Sequence, residues 1–240
     1  MTTSFDQAIR AAVGADQSAI PGFVRPGGAT LARPELSQQF LDRCRRAMQV
    51  LISSPEAGGV LQVCSARPGE WRSEVAAAMA TALVRTYGER VALLDLDFGT
   101  GRLSELFGVA SGDGTADWLE GGERLRVVLG GTNRLICMLP VGRYYGDSAV
   151  LYSELVRREV IEALLRTFTW VVIDLPPLLT EPSAAQLLSY ADYRVLVGRY
   201  RHTTLQDLEE TAEQFGQSGI NGFLLTGDTS RVPRWIRRQI

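Results

Sequence analysis

The 240-residue chain contains no lysine; all 25 of its basic side chains are arginine. Any site that ordinarily relies on lysine's compact ammonium must here be built without it. Histidine is almost as scarce. His202 stands alone, which excludes a cluster of histidine metal ligands and leaves His202 as a loop residue. The three cysteines, Cys44, Cys64 and Cys137, lie far apart without metal-site spacing, and an odd count with no C-x-x-C predicts reduced thiols. No apolar run approaches the roughly 20 residues that span a bilayer. The first ten residues lack a signal-peptide layout, so a cytoplasmic location is expected. Excess charge is missing too: a net charge of −2 provides no field to recruit nucleic acid or anionic lipid. Internal repeats and low-complexity tracts are also absent.

What the chain does have is enough apolar material for a core, 45% of its residues. Residues 1–33 show little apolar period and are punctuated by Pro21, Gly22, Pro26, Gly27 and Gly28, the pattern of a mobile arm. From there to residue 240 one domain is expected. Leu36–Ile52 has helical spacing, with Ser37 as its cap. Beyond it, short apolar runs alternate with helical patterns, which predicts an α/β fold with a mostly parallel sheet and helices on both faces. The expected strands are Val60–Cys64, Val91–Asp95, Leu135–Leu139, Trp170–Asp174, Arg194–Val197 and Gly222–Thr226. Helices are expected over Arg72–Tyr87, Leu151–Phe168, Ser183–Tyr190 and Thr204–Gln217. The unbroken Val171-Val172-Ile173 fits a strand buried on both faces.

Three segments carry the chemistry. The first strand runs into Ser65-Ala66-Arg67-Pro68-Gly69-Glu70-Trp71-Arg72-Ser73-Glu74, which opens a helix. In that context the pattern is a phosphate-binding loop, whose backbone N–H groups cradle phosphate while Gly-Lys precedes a metal-binding Ser or Thr. Here Trp71 takes the glycine position, Arg72 the lysine position, and Ser73 keeps the hydroxyl. The second strand ends in Asp95-Leu96-Asp97, and a later one in Asp174-Leu175-Pro176-Pro177. Strand carboxyl ends line the ligand crevice of an open α/β sheet, so Asp95, Asp97 and Asp174 are expected to converge on the loop. Each aspartate alone is as well explained as a helix cap or turn former.

On these segments the chain resembles the bacterial tyrosine kinases of capsule and exopolysaccharide synthesis. They are a branch of the deviant P-loop NTPase-like group that also includes the septum-site and plasmid-partition ATPases. The resemblance covers about residues 34–230. Ser65-Ala66-Arg67-Pro68-Gly69-Glu70 matches the start of the family's loop, and Val91-Ala92-Leu93-Leu94-Asp95-Leu96-Asp97 its second acidic motif. Leu139-Pro140-Val141-Gly142 is similar to its Leu-Pro-Ala-Gly segment, and Val172-Ile173-Asp174-Leu175-Pro176-Pro177 to its third acidic motif. The resemblance implies ATP held by Gly69, Arg72, Ser73 and Glu74, magnesium on Ser73, Asp95 and Asp174, and catalysis by Asp95 and Asp97.

The departures carry equal weight. Arg72 keeps a charge but not the shape of an ammonium. Glu74 sets a carboxylate at the helix N-terminus, favoured by the macrodipole but repelling phosphate. Thr226 stands where the family has Asn near the base. The family's self-association motif Glu-x-x-Arg-x-x-Arg finds its closest register at Phe40-x-x-Arg43-x-x-Arg46, without the Glu. The tyrosine-rich tail is absent: Tyr200 is the last tyrosine, and the chain ends in an arginine-rich stretch, Arg231–Ile240. Tyr144-Tyr145 reads either as packing or as a phosphorylation site. The expectation is a non-catalytic or weakly active kinase-like protein that needs neither ATP nor magnesium. It is expected to partner a membrane-spanning polysaccharide co-polymerase, with possible self-association. The alternative is an active ATP-dependent tyrosine kinase with Arg72 in place of lysine.

Overall fold

The computed structural model describes Ile9 and residues 36–122, 125–130 and 135–227 of the chain. Seven strands form one sheet: β1 Gly59–Ser65, β2 Val91–Asp95, β3 Val128–Gly130, β4 Ile136–Leu139, β5 Trp170–Pro177, β6 Tyr193–Arg199 and β7 Gly222–Thr226. Their order is β3-β4-β2-β5-β1-β6-β7, all parallel except the β3–β4 pair. The six expected strands are present. β3, three residues at the antiparallel edge, is the additional one, too short to carry an alternation that a sequence could reveal.

The sheet is covered on both faces, and β5 shows why its sequence is apolar throughout. Val171 and Ile173 point into one core with Leu151, Leu155, Ile161 and Leu187, while Trp170 and Val172 point into the other with Met48, Met79 and Leu83. Side chains alternate along a strand, so a strand covered twice must be apolar at every position. The second face carries α1 Gln38–Leu51, capped by Ser37 as expected, and α2 Arg72–Tyr87. In α2, Ala76, Ala77, Ala78 and Ala80 are fully buried. Their small side chains let the helix lie close against β1, β5 and β2 while α1 packs on its other side.

Shorter elements follow: α3 Arg102–Leu106, α4 Thr115–Leu119, α5 Ser148–Arg157, α6 Val160–Leu165 and α7 Leu205–Phe215. The single helix expected over Leu151–Phe168 is two, broken at Glu159, whose φ of 51° lies in the left-handed region. The segment expected to be helical over Ser183–Tyr190 is a 3₁₀ helix, Pro182–Tyr190. Of the stretch 1–33, only Ile9 is described; it is helical and fully buried. The rest of that stretch and the Arg231–Ile240 tail lie outside the described residues. Cys44, Cys64 and Cys137 are free and buried. No helix among the described residues is long and apolar enough to cross a membrane.

Candidate active site: a phosphate-type loop closed by its own arginine

The topology brings the three expected segments to one place. β1 lies between β5 and β6, and β5 between β1 and β2. The crossovers leaving β1 and β5 run over opposite faces, which opens a crevice at the strand carboxyl ends. Parallel register sets Asp95 beside Asp174 across β2 and β5. A register shift between Val63 and Ser65 turns the end of β1 into the loop, and Gly69 allows the loop to bend at a φ of 80°.

Arg72 is the centre of the site. Its guanidinium, 6% exposed, donates through Nε to Asp174 Oδ1 at 2.6 Å and through Nη2 to Asp97 Oδ2 at 2.7 Å. Nη1 lies 3.5 Å from the Ser65 hydroxyl. Burial opposes a charge here, yet the carboxylates of Asp174 and Asp97 outweigh that and hold Arg72 above the ordinary arginine value. Asp97 is further fixed by the Thr100 amide at 3.1 Å and the Thr100 hydroxyl at 2.6 Å. Asp95 faces another way: its Oδ2 accepts from the Ser104 amide at 2.7 Å and the Ser104 hydroxyl at 2.6 Å. Burial raises both Asp95 and Asp174; the charge of Asp174 adds to the first, and Arg72 partly offsets the second. Asp95 lacks a cation in contact. The 2.6 Å contact therefore makes Asp174 the ionised partner of Arg72, and Asp95 the carboxyl that keeps a proton longest.

The loop itself is tied from within by Glu70, whose role no local sequence pattern signals. Its buried carboxylate accepts from the Ala66 amide at 2.9 Å and the Arg67 amide at 3.0 Å, and from the Thr203 hydroxyl. From outside, the segment after β6 straps the loop. Arg199 donates to the Gly69 carbonyl at 3.0 Å, His202 Nε2 donates to the Pro68 carbonyl at 3.0 Å, and Arg67 pairs with Asp207. Nothing local in the sequence announces these partners, which lie 130 or more positions apart from the loop groups they hold.

Trp71 adopts a left-handed conformation, φ 63°, as the residue before α2, the conformation a glycine would supply freely. Its half-exposed ring lies under the Arg199 guanidinium, 5.2 Å from the ring centre. A cavity of about 330 Å³ lies beside the loop, lined by Gly69, Trp71, Ser73, Glu74, Thr100 and Arg102 among others. Glu74, expected to repel phosphate, is neutralised there by Arg102 at 3.1 Å. Thr226 donates its hydroxyl to the Glu70 and Gly198 carbonyls and so braces the loop.

A magnesium ion, which the resemblance implies, does not fit this donor set. The faces that Asp97 and Asp174 turn toward each other are taken by Arg72, and both oxygens of Asp95 are held by Ser104 and the Asp97 amide. Among the described residues no group of three acidic, histidine or cysteine side chains converges on a metal position. Of the tyrosines weighed above, Tyr144 donates to the Asp147 carbonyl, while Tyr145 is 96% exposed.

No protein-family model matches the chain. It is 25% identical over 194 residues to the tyrosine-protein kinase Ptk of Acinetobacter johnsonii, covering 80% of this chain and 26% of that protein. It is 27% identical over 193 residues to the tyrosine-protein kinase CpsD of Streptococcus agalactiae, covering 79% of this chain and 82% of that one. Its homologues are bacterial tyrosine-protein kinases. The chain spans about a quarter of the length of the first curated relatives it matches. The fold is that of the kinase domains: the Escherichia coli tyrosine kinase ETK domain superposes with a TM-score of 0.69 at 19% identity, covering 81% of this chain and 77% of that domain.

Proposed function

We propose that this chain is a non-catalytic or weakly active relative of the tyrosine kinases. In this reading it works in the cytoplasm as the binding partner of a membrane-spanning co-polymerase in exopolysaccharide or capsule synthesis. One observation carries the non-catalytic part: Arg72, in the lysine position of the loop, points inward onto Asp97 and Asp174 instead of outward to a phosphate. The likeness to Ptk and CpsD supports the kinase relationship, and the pathway and the partner rest on the resemblance of the loop and acidic motifs to the kinases of capsule and exopolysaccharide synthesis.

The active alternative is favoured by one feature, the Ser73 hydroxyl retained beside Asp174. It requires Arg72 to release both carboxylates at once. Titration with magnesium–ATP decides between them. The expected outcome is no saturable heat at submillimolar ATP, because the loop lacks the lysine contact, worth on the order of 1.5–3 kcal/mol for a charged hydrogen bond. A micromolar dissociation constant overturns the reading. In cells, deletion is expected to reduce exopolysaccharide, and Ser73→Ala is expected to restore it. A folded, abundant Ser73→Ala protein that behaves like the deletion would show that the loop's chemistry is needed after all.

A further inference from the structure

We infer that Arg72 is the resident cation of this site, holding between Asp97 and Asp174 the place and the charge that a divalent metal ion would take. The chain therefore keeps the pocket closed and folded without metal. This deepens the proposed function and rests on it, since a pocket that excludes the metal does not turn over a metal–nucleotide complex.

The geometry is that of a substituted ion. Nε and Nη2 form one edge of the guanidinium, and they donate to two different carboxylates at 2.6 and 2.7 Å. Those two oxygens consequently face a single locus from β5 and from the turn after β2. Magnesium is bound by one or two carboxylates with water completing its octahedron, so two carboxylates facing one point are a sufficient protein contribution once the guanidinium is gone. The remaining Asp174 oxygen, Oδ2, is buried and completes no hydrogen bond of good geometry, although the Ser73 hydroxyl lies beside the carboxylate. It is an acceptor that the planar guanidinium does not reach and that a hydrated ion would satisfy. The environment also requires some cation: Asp95, Asp97 and Asp174 are all buried within 3% exposure, and Arg72 is the only basic side chain paired with any of them in the described residues. Replacing a mobile divalent ion by a tethered monovalent one keeps the acidic motifs in place while removing the dependence on ligand.

The test uses Mn²⁺ as probe, followed by electron paramagnetic resonance and by thermal melting of the full chain. Wild type is expected to leave the free Mn²⁺ signal and the melting temperature unchanged at millimolar ion. Arg72→Ala is expected to melt roughly 10 °C lower, a shift consistent with losing a buried ion-pair partner in a chain of this size. Millimolar Mn²⁺ or Mg²⁺ should recover most of that loss by binding the folded state alone. Arg72→Ala with Asp97→Asn should bind no ion. A folded Arg72→Ala protein that gains no affinity for Mn²⁺ overturns the inference. So does wild type binding Mn²⁺ with an affinity that falls at least tenfold in Asp97→Asn. Should Arg72→Ala not fold even with ion present, Arg72→Gln, which keeps bulk without charge, takes its place, and absence of a gain there counts equally against it. Phosphotransfer from magnesium–ATP by wild type at about 1 s⁻¹ or faster, the range of working kinases, overturns the proposed function. Mn²⁺ held by wild type without phosphotransfer overturns only the resident cation.

Discussion

The phosphate-type loop is held on two sides, and both sides use arginine. Inside, Arg72 is buried against two buried carboxylates. Outside, half-exposed arginines tie the loop to the segment after β6: Arg67 reaches from the loop to Asp207, and Arg199 reaches into the loop, to the Gly69 carbonyl and the Trp71 ring. The residue type is the same and so is the task, yet the physics differs. Water screens the outer contacts and can replace them, so each is worth little. The inner carboxylates are buried, so losing Arg72 leaves charges stranded in a low-dielectric site. An arginine holding a loop is thus a brace on one side and a structural necessity on the other, and burial alone decides which.

The sharpest way to break this comparison is Arg72→Ala, expected to cost about 3–5 kcal/mol in denaturant unfolding without metal. A loss below 1 kcal/mol would place the inner contact in the same class as the outer ones. The uncharged triple variant Arg72→Met, Asp97→Asn, Asp174→Asn should recover most of that loss, because it removes the stranded charges together with their partner. Glu70→Ala comes next. It leaves the amides of Ala66 and Arg67 without their acceptor, and about 1–3 kcal/mol is expected for an unsatisfied buried donor.

Acid–base behaviour supplies the third test. Burial raises Asp95 to about 7 and Asp174 to about 6. The folded state therefore binds more protons than the unfolded one between pH 4 and pH 7. The stability this contributes is fully present below the ordinary carboxylate range and is lost as pH rises through the raised values. Melting curves from pH 4 to pH 8 should fall, and Asp95→Asn should flatten the slope. Asp207, held low by the Arg67 side chain, works in the opposite sense, since its contribution is lost as pH falls. The smallest effect is expected for Arg199→Ala, below about 1 kcal/mol and further reduced at high salt. A cost equal to that of Glu70→Ala would show that the outer strap is not a mere brace.

Much of this molecule was legible along the chain. The alternation of β-branched runs with helical spacing specified a parallel sheet covered on both faces, because a doubly buried strand has no polar positions to offer. The loop and the two acidic strand ends were likewise legible, since each is a local pattern at a strand terminus. Three things were not. The break at Glu159 hides inside a continuous helical period, because one left-handed residue leaves the spacing on either side intact. Glu70 and its partner Thr203 are joined only by folding. The direction in which Arg72 points is the third, and it matters most. By itself the sequence determined the sheet, the placement of the loop and the absence of lysine from it. Only the tertiary structure decided that Arg72 turns inward, because the register of β2 against β5 and the turn at Asp97 set two buried carboxylates within its reach, and their attraction outweighs the cost of burying its charge.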